Sequence, residues 1–249
     1  FILGVGPDDE ISENCLQEFI DRYDSLKDRE IDAAIIPTLF YFSENTDKNF
    51  TISGINGVVN SEDHILTGEK AFELSIEWEI SGFAFFRTDI VKRFGFYEEG
   101  MNGDEYSCRE FFLNSRKIIF LKDSAYIYHQ INTSITKKLS TKLFNVYKTL
   151  WKVEILAKRH NSKKSLIRKI NRKRYNESYN LWVRYLKCKN FFNLSDQQII
   201  EEYFEENWKL LKPYKIGRDY LLRKEKDKEG KSIVLFNKMK FYYTMLKNV

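Results

Sequence analysis

Proline is scarce and paired cysteines are missing. Only three prolines occur in 249 residues, so little interrupts long helices. Cys15, Cys108 and Cys188 are odd in number and far apart, with no Cys-x-x-Cys pair and no Cys/His cluster. That argues against a disulfide scaffold or a zinc site and fits a reducing compartment. Long apolar runs are also lacking. The stretch from Ala33 to Phe42 is broken by Pro37 and Thr38 and is too short to span a bilayer. The opening Phe1-Ile2-Leu3-Gly4 has neither a methionine nor a basic leader, and Asp8, Asp9 and Glu10 cut its apolar run short. It is not a signal peptide and reads as the later part of a longer protein. No low-complexity tract or internal repeat is visible. What remains is 43% hydrophobic, 31% charged and 16% aromatic, a composition that excludes wholesale disorder and predicts one large or two small folded domains.

The formal charge of +5 hides an asymmetry. Residues 1–136 hold 12 basic and 25 acidic side chains, and residues 137–249 hold 29 basic and 11 acidic ones. Within 137–190 there are 17 basic residues against Glu154 and Glu177 alone. A split of this kind predicts two segments with different partners.

Phe1 to Val5 reads as a buried strand, followed by a turn at Gly6-Pro7-Asp8-Asp9. Ser12 is placed to cap a helix from Glu13 to Ser25, with Leu16, Phe19, Ile20 and Tyr23 as its apolar stripe. Ile31 to Ser43 is strand-like, and Thr51 to Ile65 reads as hairpin or loop. Short helices are expected from Gly68 to Leu74 and from Arg87 to Phe94, the second stopped by Gly95. A further helix follows Asp104, carried by Tyr106, Cys108, Phe111 and Phe112. Lys117 to Leu121 and Ala125 to His129 read as strands. The order predicts an α/β sheet protein. From Ser140 the spacing turns helical: Leu143 to Val153, then one or two helices over Leu166 to Leu186. Ser195 with Gln198 forms a capping box before a helix ended by Pro213. Ser232 to Leu246 is a last helix candidate.

Four places could carry chemistry. Asp8 and Asp9 follow an expected strand, where carboxylates can hold a divalent cation bridging a diphosphate; the other reading is a polar turn. Asp104 and Glu105 open an expected helix. A carboxylate there can take a proton from an attacking hydroxyl, or simply cap the helix. Trp78 to Arg87 sets Ser81-Gly82 among aromatics, which suits a sugar ring against a bare backbone or ordinary core packing. His129 lies in Tyr126-Ile127-Tyr128-His129, ahead of Ser134 and Thr136, and could bond a phosphate or serve as a structural histidine.

Taken in order, these pieces resemble the later half of bacterial family-2-like glycosyltransferases of the GT-A nucleotide-sugar fold. Phe1 to Ile11 with Asn14-Cys15-Leu16-Gln17 matches the family's acidic strand end and following helix. Ser81 to Val91 with Phe94 to Glu99 matches its glycine-centred segment. Gly103-Asp104-Glu105 with Arg109 matches its acidic helix start, and Tyr126, Tyr128, Ser134 and Thr136 its last strand. The resemblance covers roughly residues 1 to 136. It implies an incomplete GT-A-like α/β domain over 1–139, missing the nucleotide-binding half, followed by a basic, mainly α-helical region over 140–249. It further implies that Asp8 contacts a divalent cation (Mg or Mn) or the donor diphosphate, assisted by Asp9 and with His129 near the leaving group. Asp104 would be the general base, with Glu105 the rival, and Trp78 and Gly82 would border the acceptor. The implied activity is inverting transfer from a nucleotide-sugar donor to a glycan or lipid-linked acceptor in bacterial surface polysaccharide synthesis. One departure stands out: the first acid of the family's pair falls on Gly6.

The basic region reads in three ways: a helical bundle with a solvated basic face, helices on an anionic membrane surface, or, last, a nucleic-acid binder. No nucleic-acid motif is present, and none is expected as partner. The expected setting is cytoplasmic, with peripheral attachment to the inner membrane face as an option. The competing functional class is a non-catalytic transferase remnant that binds partners through its basic helices.

Overall fold

The computed structural model describes residues 1–26, 30–56, 58–131 and 138–211. Two compact units result: Phe1–Glu98 with Gly103–Lys138, and Glu99–Asn102 with Leu139–Val249. The first unit contains strands β1 (Glu10–Ile11), β2 (Ala33–Ile35), β3 (Thr38–Tyr41), β4 (Phe50–Ile52), β5 (Ala84–Phe86), β6 (Ile118–Phe120) and β7 (Tyr126–His129). Its helices are α1 (Cys15–Ser25), α2 (Gly68–Ser75), α3 (Thr88–Phe94) and α4 (Gly103–Leu113). The second unit holds α5 (Val146–Arg159), α6 (Lys164–Cys188) and α7 (Leu194–Leu211).

Pro37 divides the expected single strand over 31–43 into β2 and β3, which enter different sheets. One sheet has the order β5-β2-β6, the other β1-β7-β3-β4. In the first, β2 runs antiparallel to β5 and parallel to β6, with Ala33 opposite both Phe86 and Ile118. Alternation sends Ala33, Ile35, Phe86, Ile118 and Phe120 to one face, where they pack with Ala71, Leu74, Phe111 and Phe112 of α2 and α4. Ala34, Phe85 and Ile119 go to the other face, with Cys15. A sheet covered on both sides explains why its strands are apolar without interruption. Helix α2 approaches α4 through Gly68, where a Cβ would lie 2.1 Å from the Ser115 carbonyl oxygen. In the second sheet β3 pairs in parallel with β7 and antiparallel with β4.

Three expectations fail in this unit. Phe1 to Val5 is no regular strand: Ile2 alone bridges Phe86, while Phe1 and Val5 are 40% and 46% exposed. Gly4 has no side chain to pack, and the segment peels away from β5 to line a cavity. Helix α1 starts at Cys15, because the Ser12 hydroxyl accepts from the Ala125 amide instead of capping. Its inward phase is Cys15, Phe19 and Tyr23, with Phe19 stacked 4.4 Å from Phe85, so Leu16 and Ile20 face outward.

Asp32, just ahead of β2, is a buried carboxylate. It accepts from the Arg116 amide (2.7 Å) and Nε (3.1 Å) and from Arg87 Nη1 (3.0 Å). Burial works against its charge, but the hydrogen bonds and charges of Arg116 and Arg87 overcome that and hold the carboxyl below its ordinary value. The stabilisation is present above the unfolded-chain pKa of about 4. It is lost as the pH falls through the lower folded value. Asp32→Asn is expected to cost about 2 kcal/mol at neutral pH, with the gap to wild type narrowing in acid; urea unfolding at neutral and acidic pH checks both.

In the second unit, Phe144, Tyr175, Trp182, Tyr185, Phe204 and Trp208 form the core between the helices. The expected one or two helices over 166–186 are the single 25-residue α6. The Ser195/Gln198 box does not cap α7. That helix begins at Leu194, and Asn193 Oδ1 accepts from the Asp196 amide at 2.8 Å, so the asparagine side chain supplies the cap. Among the described residues no helix is long and apolar enough to cross a membrane. Ser134, Thr136, Pro213 and the helix candidate from Ser232 to Leu246 lie outside the described residues.

Candidate functional site

The first unit encloses a cavity of about 650 Å³. Residues of β7, the start of α4 and the Phe1 segment line it. Phe40, Phe83, Phe86, Phe96 and Phe111 form apolar walls, and Asp9, Asp104 and Glu105 supply carboxylates. Among the described residues no lysine, arginine or histidine lines it.

Asp9 is placed by its turn and by β7. Its amide donates to the Gly6 carbonyl at 3.1 Å. Oδ2 accepts from the Tyr126 hydroxyl at 2.7 Å and Oδ1 from the His129 amide at 3.2 Å. The Gly6 amide in turn donates to the Tyr126 oxygen at 3.0 Å. A Cβ on residue 6 would sit 2.5 Å from Asp9 Oδ2. A side chain at position 6 would therefore have to push the Asp9 carboxylate aside. Tyr126 is fixed by Phe83, stacked 3.7 Å away. Burial first, and the charged Asp9 beside it, push its phenol well above the ordinary value, so it stays a donor.

Asp104 and Glu105 occupy the first turn of α4, where the helix N-terminus favours negative charge. Gly103 permits the approach: a Cβ there would lie 2.1 Å from the Tyr97 carbonyl oxygen. One turn on, the buried Arg109 organises the wall. Nη1 donates to the Glu105 carbonyl (3.1 Å) and Oε2 (3.0 Å), and Nη2 to the Ser75 carbonyl (3.1 Å). Its guanidinium also lies 4.1 Å from the Trp78 ring centroid, in cation–π range. Trp78 has a left-handed backbone with φ of 55°, a strained state for a bulky residue. Its ring packs over Gly82, where a Cβ would meet it at 2.8 Å. Cys108 Sγ donates to the Gly82 carbonyl at 3.0 Å, closing the floor. Tyr128 joins the two sides of the cavity. Burial raises its phenol pKa, and the negative charges of Asp9, Asp104 and Glu105 add to the shift.

Five of the seven candidate residues therefore line one cavity: Asp9, Trp78, Gly82, Asp104 and Glu105. Asp8 is exposed and outside its lining. His129 is also outside; it meets Asp9 through its backbone amide, while Nε2 lies 3.3 Å from Glu10 Oε1. Among the described residues no three His, Cys, Asp or Glu side chains cluster to hold a metal ion. Sequence reasoning missed Thr38, whose hydroxyl bonds that of Ser81 at 2.6 Å within the buried lining. It also missed Ile80, Phe86 and Phe111, which carry no signal beyond core composition.

No family model matches the chain, and no curated protein is similar to it. A solved structure does match: S. aureus TarS 1–349 in complex with UDP-GlcNAc, with a TM-score of 0.52 at 16% identity. The chain has a glycosyltransferase-like fold. The match covers 84% of this chain and 57% of the TarS chain. At this identity the likeness is one of fold alone.

Proposed function

We propose that this chain is the acceptor-side part of an inverting glycosyltransferase, moving a sugar from a nucleotide-sugar donor to a glycan or lipid-linked acceptor in bacterial surface polysaccharide synthesis. One observation carries the reading: Asp9, Asp104 and Glu105 converge with Trp78 and Gly82 on a single aromatic-walled cavity. Aromatic faces suit the C–H surfaces of a sugar ring, and Gly82 lets the Trp78 ring lie close against the backbone at the cavity wall. Asp104 at the mouth is suited to take the acceptor hydroxyl proton as the oxygen attacks the anomeric carbon. The bound nucleotide sugar of the TarS complex is the chemical precedent for the donor. In this reading residues 1–139 form the later part of a GT-A-like domain and residues 140–249 a basic helical accessory region.

The described carboxylates do not make a closed cage, but they fit a cation that takes most of its ligands from phosphate and water. Asp8, exposed beside the fixed Asp9, would hold Mg²⁺ or Mn²⁺ shared with the donor diphosphate. Bound there, the cation would neutralise charge on the departing nucleoside diphosphate. Asp9 itself stays an acceptor, fixed by Tyr126 and the His129 amide.

Calorimetric titration of the protein carrying its complete donor site with UDP-GlcNAc and other nucleotide sugars tests the proposal. Binding at about 1 μM to 1 mM is expected, weakened by EDTA and by Asp8→Asn. Silence with every nucleotide sugar, with or without Mg²⁺, would leave the non-catalytic interaction module as the better reading.

A further inference from the structure

We infer that the turn between α6 and α7 is an anchor for anionic lipid surfaces. Helix α6 carries eight basic side chains and one acid, Glu177. Only Arg174 of the eight is buried, paired with Glu154. The buried residues, among them Leu166, Ile170, Tyr175 and Trp182, occupy one side of the helix. Arg168, Arg172 and Lys187 therefore fall on the opposite, exposed side.

The apolar component lies where α6 ends. In the Phe191-Phe192 pair, Phe192 is 9% exposed and packs 5.8 Å from Phe144, while Phe191 is 82% exposed. Leu194 is 83% exposed, and Leu186, in the last turn of α6, 50%. Their cationic neighbours are Arg184, Lys187 and Lys189. Lys189 is partly neutralised by Glu201 at 2.7 Å, which leaves Arg184 and Lys187 as the principal charges. Glu201 reaches back to Lys189 and the Tyr185 hydroxyl, and the α7 acids after it lie farther along the helix from Leu194. Of the described acids of α7, Asp196 lies nearest the tip in sequence.

Exposed phenylalanine and leucine have no favourable place in water, and a basic collar has none in hydrocarbon. A membrane interface satisfies both at once: the apolar tips enter the acyl boundary while arginine and lysine stay with anionic headgroups. RNA would also suit the charges, but it takes bases on aromatic and arginine planes and makes no use of protruding leucines. The combination therefore favours lipid, and it stands independently of the transferase reading.

Co-sedimentation of the 249-residue chain with vesicles tests it. Vesicles of phosphatidylcholine and phosphatidylglycerol in equal parts should pellet the protein, pure phosphatidylcholine far less, and added salt should release it. Phe191→Ser with Leu194→Ser should weaken binding at least ~10-fold with an unchanged circular dichroism spectrum, because neither side chain is in the core. Arg184→Gln with Lys187→Gln should weaken it on the anionic vesicles only. The inference is overturned if the anionic vesicles do not pellet the protein at low salt. It is equally overturned if the Phe191/Leu194 variant binds like wild type, or if single-stranded RNA displaces the protein from vesicles while that variant keeps its vesicle affinity.

Discussion

Asp104→Asn is expected to lower sugar transfer by about a thousandfold while donor binding and the circular dichroism spectrum stay as in wild type. The expectation rests on the contrast between two adjacent acids. Glu105 is held by Arg109 at 3.0 Å and is already committed to the wall beneath Trp78. Asp104 is exposed at the cavity, with no hydrogen bond or ion pair to its carboxylate among the described residues. A general base must be open to the hydroxyl it serves, and the Glu105 carboxylate is already occupied by Arg109. Asparagine keeps the size and much of the helix-start polarity but cannot accept the proton. Glu105→Gln should act differently: it removes the charge that pairs Arg109 while the Glu105 and Ser75 carbonyls still accept from the guanidinium, so the wall under Trp78 loosens and the loss appears mainly as a raised acceptor KM. Single-turnover assays of both variants, in the protein carrying its complete donor site, separate the roles. Near-normal turnover by Asp104→Asn would sink the assignment.

Why Asp104 was visible in the sequence, and its companions were not, follows from local against non-local physics. The start of α4 is a local matter: an acidic pair after glycine, then Cys108, Phe111 and Phe112 at helical spacing. The end of α3 is equally local, since Gly95 takes φ of 68° to stop it. The second unit's helices show for the same reason, although the α7 cap moved from Ser195 to Asn193. Pairing is non-local. Nothing near Ala33 says that β2 will lie between β5 and β6, or that Pro37 hands the next strand to another sheet. In α1 two apolar phases compete, and only Phe85 and the sheet beneath decide for Cys15 and Phe19 over Leu16 and Ile20. The cavity was hardest of all. Its walls at Ile80, Phe86 and Phe111 have core composition, and the left-handed backbone at Trp78 occurs at a residue type that gives no warning. Asp8 and Asp9 are equivalent in sequence, and the Tyr126 hydroxyl and His129 amide of β7 distinguish them.

Glu154→Ala should destabilise the helical unit by about 3–5 kcal/mol. Glu154 on α5 is paired with Arg174 on α6, their side chains 8% and 2% exposed, and Lys158 reaches Glu154 from the surface at 2.5 Å. Burial pushes the Arg174 pKa down and the Glu154 charge opposes that shift. Arg174 Nε and Nη2 are buried without hydrogen-bond partners among the described residues, and beside a long bond to Asn171 Oδ1 at 3.4 Å the guanidinium depends on the Glu154 carboxylate. Removing that carboxylate leaves a buried charge with nothing to offset its lost hydration. The same reasoning predicts a rescue: Glu154→Leu combined with Arg174→Met replaces the pair by apolar volume and should recover most of the loss. Trp151, Trp182 and Trp208 belong to this unit and Trp78 to the other, so tryptophan fluorescence during urea unfolding reports chiefly on the helices. A midpoint for Glu154→Ala equal to wild type would show that the pair contributes nothing. A double variant no better than the single would place the cost in packing rather than in charge. The pair therefore serves as a lock between α5 and α6, while the rest of α6 turns its basic residues outward.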